Sequence, residues 1–259
     1  MKKMIALMRA VLMTLTLFAG CGAKEGSDLA AIKKAKKIVV GITDYAPMDY
    51  KDDNGEWTGF DAEFARLFAA ALGVEVELFV LSDWGQKFYE LETKNIDCVW
   101  NGMTITEEAL LKASGSDPYV VNAQVIVMKA DAVANYPDTD SIKGLSFAVE
   151  SGSAGEAALV DLGITGFTAL QDQTSALMEV KAGPADACVI DITMANAMTG
   201  EGTNYADLAA GISLTSEEYG VAFRKDSDLT AKFNEFMAKL IADGTLQQLA
   251  DKYQLTLAK

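Results

Sequence analysis

The chain has 259 residues, half of them apolar, with little Pro, no His and 3 Cys. That length and composition suit a globular chain with two separate cores, and the lack of His removes the usual general base and the commonest metal ligand. A net charge of −15 repels nucleic acid and anionic lipid headgroups, and Cys at 21, 98 and 188 without CxxC spacing indicates neither a zinc site nor a disulfide framework.

Residues 1–20 place Lys2, Lys3 and Arg9 ahead of Val11–Phe18, an apolar run too short to span a bilayer. A basic flank followed by small residues before Cys21 reads as a secretory signal. Phe18-Ala19-Gly20-Cys21 resembles the bacterial lipoprotein cleavage box, with Phe where Leu is usual. It implies acylation of Cys21 and anchoring by more than one chain; the alternative is an ordinary signal peptide with a chance Cys. Residues 21–36 read as a tether leading into a short helix.

The folded part begins at Lys37–Thr43, an apolar run that predicts a buried strand. The turn signal Asp52-Asp53-Asn54-Gly55 pairs Met48–Tyr50 with Glu56–Gly59 as a hairpin. Asp61 is read as the cap of a helix that carries Phe64, Leu67, Phe68 and Ala71 on one face and ends at Gly73. Val74–Leu81 is a strand, Trp84–Lys94 a helix and Ile96–Trp100 a strand. This order predicts a parallel sheet with right-handed crossovers. The strand then ends in Asn101-Gly102-Met103-Thr104 just before a helix start. Small polar groups and free N–H donors at such a sheet edge suit a ligand.

A long extended segment follows from Val120, and the βα pattern restarts. Leu145–Val149, Gly166–Leu170 and Ala185–Ile190 are strands. Ser153-Ala154-Gly155-Glu156 fits a capping box, Thr174–Lys181 is a helix, and Asp191 stands at a strand end. Gly211–Leu214 and Tyr219–Phe223 are extended; Asp226–Ala242 and Leu246–Tyr253 are helices. The restart predicts two lobes, 37–122 with 220–259 as the first and 123–219 as the second. The ligand is expected between them, with hinge closure around it. Cys98 and Cys188, in apolar strands, are expected to be inert buried thiols.

Gly59-Phe60-Asp61, Lys94–Asp97, Gly102-Met103-Thr104-Ile105-Thr106, Ser116–Tyr119, Glu150–Ser153, Asp186–Asp191, Glu218–Lys225 and Ile241–Leu246 form an ordered set. The set resembles the solute-binding proteins of polar amino-acid ABC transporters over roughly residues 37–255. The resemblance implies an α/β, two-lobed periplasmic-binding-protein fold of type II, each lobe a mainly parallel sheet flanked by helices. It implies a monomer that binds an amino acid or related small amine outside the cytoplasm and delivers it to a permease, with no cofactor. Tyr45 and Trp84 take the positions of aromatic brackets. Asn101, Gly102 and Thr104 take those that hydrogen-bond the ligand's ammonium and carboxylate. Ser153, with Ala154 beside it at a helix start, takes a hydroxyl position in lobe two, and Asp191 that of the carboxylate pairing with the ammonium.

The departure is Ala109, where the family has an Arg that grips the carboxylate. Lys112, one turn on, can reach in or stay solvated, and the N–H groups of residues 153–155 remain a carboxylate site. Glu150 is a surface carboxylate or a partner for a cationic side chain. Two other readings compete. One is an enzyme on the same fold, such as a dehydratase, with Asp44, Asp191, Glu150 or a Lys as its acid or base. The other is a sensor acting in trans.

Overall fold

The computed structural model describes residues 26–259. The signal reading of residues 1–20, acylation of Cys21 and the first tether residues lie outside the described residues. Lobe one comprises α1 (Asp28–Ala35), β1 (Lys37–Ile42), the hairpin β2 (Tyr50–Lys51) and β3 (Trp57–Thr58), α2 (Phe60–Leu72) and β4 (Glu75–Val80). A 3-10 turn at Trp84–Gln86 then runs into α3 (Lys87–Glu92), followed by β5 (Cys98–Val99), α4 (Glu107–Lys112) and β6 (Ser114–Gly115). β7 (Val120–Asn122) leads to lobe two: β8 (Gln124–Lys129), β9 (Phe147–Glu150), α5 (Ala154–Asp161), β10 (Phe167–Leu170), α6 (Gln173–Ala182), β11 (Ala187–Asp191), α7 (Ile192–Met198) and β12 (Leu208–Ser213). The chain returns through β13 (Glu217–Tyr219) to β14 (Ala222–Phe223), α8 (Asp228–Ala242) and α9 (Thr245–Lys252).

The two expected lobes each hold a five-stranded sheet, β4-β1-β5-β14-β6 and β10-β9-β11-β8-β12. In each, four strands run one way and a single strand, β14 in the first and β8 in the second, runs against them. The sheets are therefore mixed, for a reason of connectivity. A strand arriving from the other lobe enters at the hinge edge, so it runs against those that end there. β7 and β13 pair antiparallel and form the hinge.

Phe60, Phe64 and Phe68 recur at helical spacing and fix α2 against lobe one's sheet. Trp100 lies edge-on to Phe233 of α8, 4.9 Å between centroids. Side chains alternate along a strand, so Trp100 in the core leaves Asn101 to the cleft.

Two expectations are corrected. Asp61 caps nothing: Gly59 precedes α2 without a side-chain cap bond, and Asp61 is buried in the first turn with other partners. Residues 28–35, assigned to the tether, are part of lobe one. Ile32 is buried, and Asp28 pairs with Arg224 at 3.0 Å, whose guanidinium also pairs with Asp97 at 3.0 Å.

Candidate ligand-binding cleft

Lobe one supplies a wall from the turn after β5. The Asn101 amide accepts from the Thr43 N–H (3.0 Å) and hydroxyl (2.6 Å) and donates to the Thr43 carbonyl and to Asp49. Its side chain therefore fastens the β1 loop behind the wall. Gly102 has φ +53°, and a Cβ there would lie 2.5 Å from the Tyr45 ring, so only glycine fits. The Gly102 N–H donates to Asp61 at 2.6 Å, and the Tyr119 hydroxyl donates to the same oxygen. Burial pushes the Asp61 pKa up to about 7 against these donors; burial and repulsion from Asp61 push Asp49 well above the usual carboxylate range. Thr104 donates to Glu217 at 2.8 Å.

The aromatic positions come together on this wall. Trp84 and Tyr45 are buried, and the Tyr45 hydroxyl meets that of Thr193, in lobe two, at 2.6 Å. Lys87, one helical turn after Trp84, bridges the lobes too: its ammonium donates to the Gly152 carbonyl at 2.9 Å.

Lobe two supplies the other wall where β9 and β11 end. Ser153 caps α5, its hydroxyl accepting from the Glu156 N–H at 3.1 Å. The expected reciprocal bond is displaced by one residue, since the Glu156 carboxylate accepts from Gly152. Ala154 and Gly155 begin the helix, where N–H groups have no intrahelical acceptor.

Asp191 occupies the N-cap position of α7 but makes no cap bond. It is buried, and side-chain amides of Asn122, Gln124 and Gln173 donate to it. Asn122 and Gln124 also donate to Glu217, each at 2.7 Å. Burial, then the charge of Glu217, raise the Asp191 pKa to about 6, with the amides pulling the other way. Glu150 is only 4% exposed, so the surface reading of it is corrected; burial and then Asp191 push its pKa well up.

These walls enclose a cavity of about 460 Å³. Tyr45, Trp84, Asn101, Gly102, Thr104, Ser153, Ala154 and Asp191 all line it. Ala109 lines it as well, within an apolar cluster that includes Leu81, Trp84 and Met103. Lys112 reaches the rim half-exposed, paired with Glu108 at 2.6 Å. Sequence reasoning missed Lys87, Gln124 and Gln173 on the lining, and Asn122 and Glu217 just behind it. One signal was available: Asn122 and Gln124 alternate within an otherwise apolar run, which puts two amides on one face of the strand.

Buried carboxylates held by amides, flat aromatic faces and a helix N-terminus in one cleft are equipment for holding a small charged solute. The sequence matches the family described as bacterial extracellular solute-binding proteins, family 3, over residues 38–256. The chain belongs to this family. It is a substrate-binding protein of an ABC transporter and works outside the cytoplasm. The L-cystine-binding protein TcyJ of Escherichia coli (strain K12) is 30% identical, over 93% of this chain and 92% of that protein. The arginine-binding extracellular protein ArtP of Bacillus subtilis (strain 168) is 30% identical over 98% of each. Among solved structures, the ancestral amino acid-binding protein AncCDT-1, described as a precursor of cyclohexadienyl dehydratase, superposes with a TM-score of 0.80. It is 32% identical, covering 88% of this chain and 99% of that one. Among the described residues of this family-3 protein, no helix is long and apolar enough to cross a membrane.

Proposed function

We propose that the cleft takes an α-amino acid bearing a second cationic group, holds it without chemical change, and passes it to an ABC permease. The observation that carries this reading is Asp191. It is a buried carboxylate at the cleft edge, oriented by three amides and without an ion-pair partner among the described residues. A buried carboxylate normally has a cation or proton to neutralise it, and a ligand ammonium supplies that cation. The rings of Tyr45 and Trp84 bracket the ligand side chain. Asn101, Gly102 and Thr104 form the wall beneath it. Ser153 and Ala154 offer the start of α5 to the carboxylate. Glu150 gives a second negative position for the distal cation. L-cystine and arginine, the ligands named for the two relatives, share the feature of two cationic groups. The protein acts as a monomer, anchored on the extracytoplasmic face by lipid on Cys21, since stable anchoring takes at least two chains.

Calorimetric titration with arginine, lysine, cystine and glutamate tests the reading. The dibasic ligands and cystine are expected to bind, and glutamate is not. Asp191→Asn is expected to weaken binding about 100-fold, the loss typical of one charged hydrogen-bonded partner. If no amino acid binds, the proposal fails. Product formation that disappears in Asp191→Asn moves the protein to the dehydratase reading.

A further inference from the structure

Lys87 is the buried cation of the cleft. It is 7% exposed and lines the cavity on the first residue of α3. Its ammonium donates to two carbonyls, of Trp84 at 3.2 Å and of Gly152 at 2.9 Å, and lies 4.6 Å from the centre of the Trp84 ring. Among the described residues it has no ion-pair partner. An ammonium carries three donors, so two carbonyls leave one unused. Lys112, the other cation on the lining, differs in both respects, being half-exposed and paired with Glu108. The carbonyl that Lys87 reaches is two residues ahead of Ala154, where α5 begins. The ammonium and the helix N-terminus thus converge from opposite lobes.

We propose that Lys87 is the cation that receives the ligand's carboxylate, gripping it from lobe one against the start of α5 in lobe two. This rests on the amino-acid reading above and adds a residue to it. The surroundings fit an anion-seeking cation. Burial lowers the Lys87 pKa to about 8; Glu150, Glu108 and Asp83 oppose that and Lys112 adds to it. A carboxylate brought against Lys87 relieves its unpaired burial. Because the Gly152 contact crosses between lobes, the grip is complete only when the lobes meet.

The test compares ligand pairs that differ only in carboxylates: arginine with agmatine and lysine with cadaverine, which differ by one, and cystine with cystamine, which differ by two. In Lys87→Met, affinity for the amino acids is expected to fall at least about 30-fold, in the range of a lost charged hydrogen bond, while the amines change by less than about threefold. Lys112→Met is expected to leave both members of each pair within about threefold. If Lys87→Met does not fold, Lys87→Gln, which can still donate to the carbonyls, gives the same comparison. Equal losses for acid and amine would make Lys87 an interlobe latch only and overturn the grip, as would a loss confined to Lys112→Met. A wild type that binds the amines but none of the amino acids overturns the amino-acid reading together with the grip.

Discussion

Asp191 is held by groups that favour its charge and by surroundings that oppose it. Burial and the neighbouring Glu217 raise its pKa to about 6, while the amides of Asn122, Gln124 and Gln173 stabilise the anion. An ammonium ligand pairs with the ionised form. Below pH 6 the proton competes, so affinity for a cationic ligand is expected to fall about tenfold per pH unit. Titrations at pH 4.5, 5.5 and 7 check this, and a flat profile removes Asp191 as the ammonium partner. Ala109 lines the cleft within an apolar cluster. Where related sequences are expected to place a guanidinium, this cleft has an apolar wall, and its buried positive charge comes from α3 instead.

The elements around the cleft rest on buried carboxylates that titrate abnormally. Asp61 holds the Gly102 turn to α2, and burial puts its pKa at about 7. A carboxyl raised in the folded state stabilises that state below its ordinary pKa, near 4, and the stabilisation is lost as pH rises through 7. Urea melts at pH 4.5 and 7.5 are expected to show the wild type losing on the order of 2 kcal/mol across that interval relative to Asp61→Asn. If the two proteins follow the same curve, Asp61 does not titrate as its burial requires. Asp61 also marks where the sequence stopped being legible. Its local pattern is that of a helix cap, but its real partner is the Gly102 N–H, 41 residues away. Likewise α1 reads as the end of a tether because Arg224, which fastens Asp28, lies 196 residues on. The two-lobed fold and the order of its main strands and helices were legible from local periodicity and an ordered set of motifs, and the eight expected positions fall on the cavity lining, but Lys87, Gln124 and Gln173 beside them were not legible. Neither were the amides around Asp191. Gln124 meets Asp191 through the antiparallel pairing of β8 with β11, and no local pattern encodes which strand lies beside which.

For the whole molecule, the two lobes meet at a pair of glycines, Gly152 and Gly85. Gly152 has φ +68°, and a Cβ on it would lie 2.7 Å from the Gly85 Cα across the cleft. Gly152→Ala therefore adds bulk where the lobes touch and strains a left-handed residue by about 1–2 kcal/mol. This variant is expected to stay open in saturating ligand by small-angle scattering and to bind at least about tenfold more weakly, the loss for about 1.4 kcal/mol. Gly85→Ala, whose added Cβ would have the Asp83 side chain as its nearest neighbour and whose φ is not left-handed, separates bulk on the facing lobe from strain at Gly152. A Gly152→Ala protein that closes normally shows that the lobes have slack.

The hinge carries a further consequence through Asn122 and Glu217, which are paired across β7 and β13 while Asn122 also donates to Asp191. The crossover strands and the carboxylate proposed to hold the ligand thus share one set of hydrogen bonds. Anything that splays those strands draws an amide donor away from Asp191. The stiffness of two short strands and the charge held at the cleft are therefore coupled through one amide, Asn122.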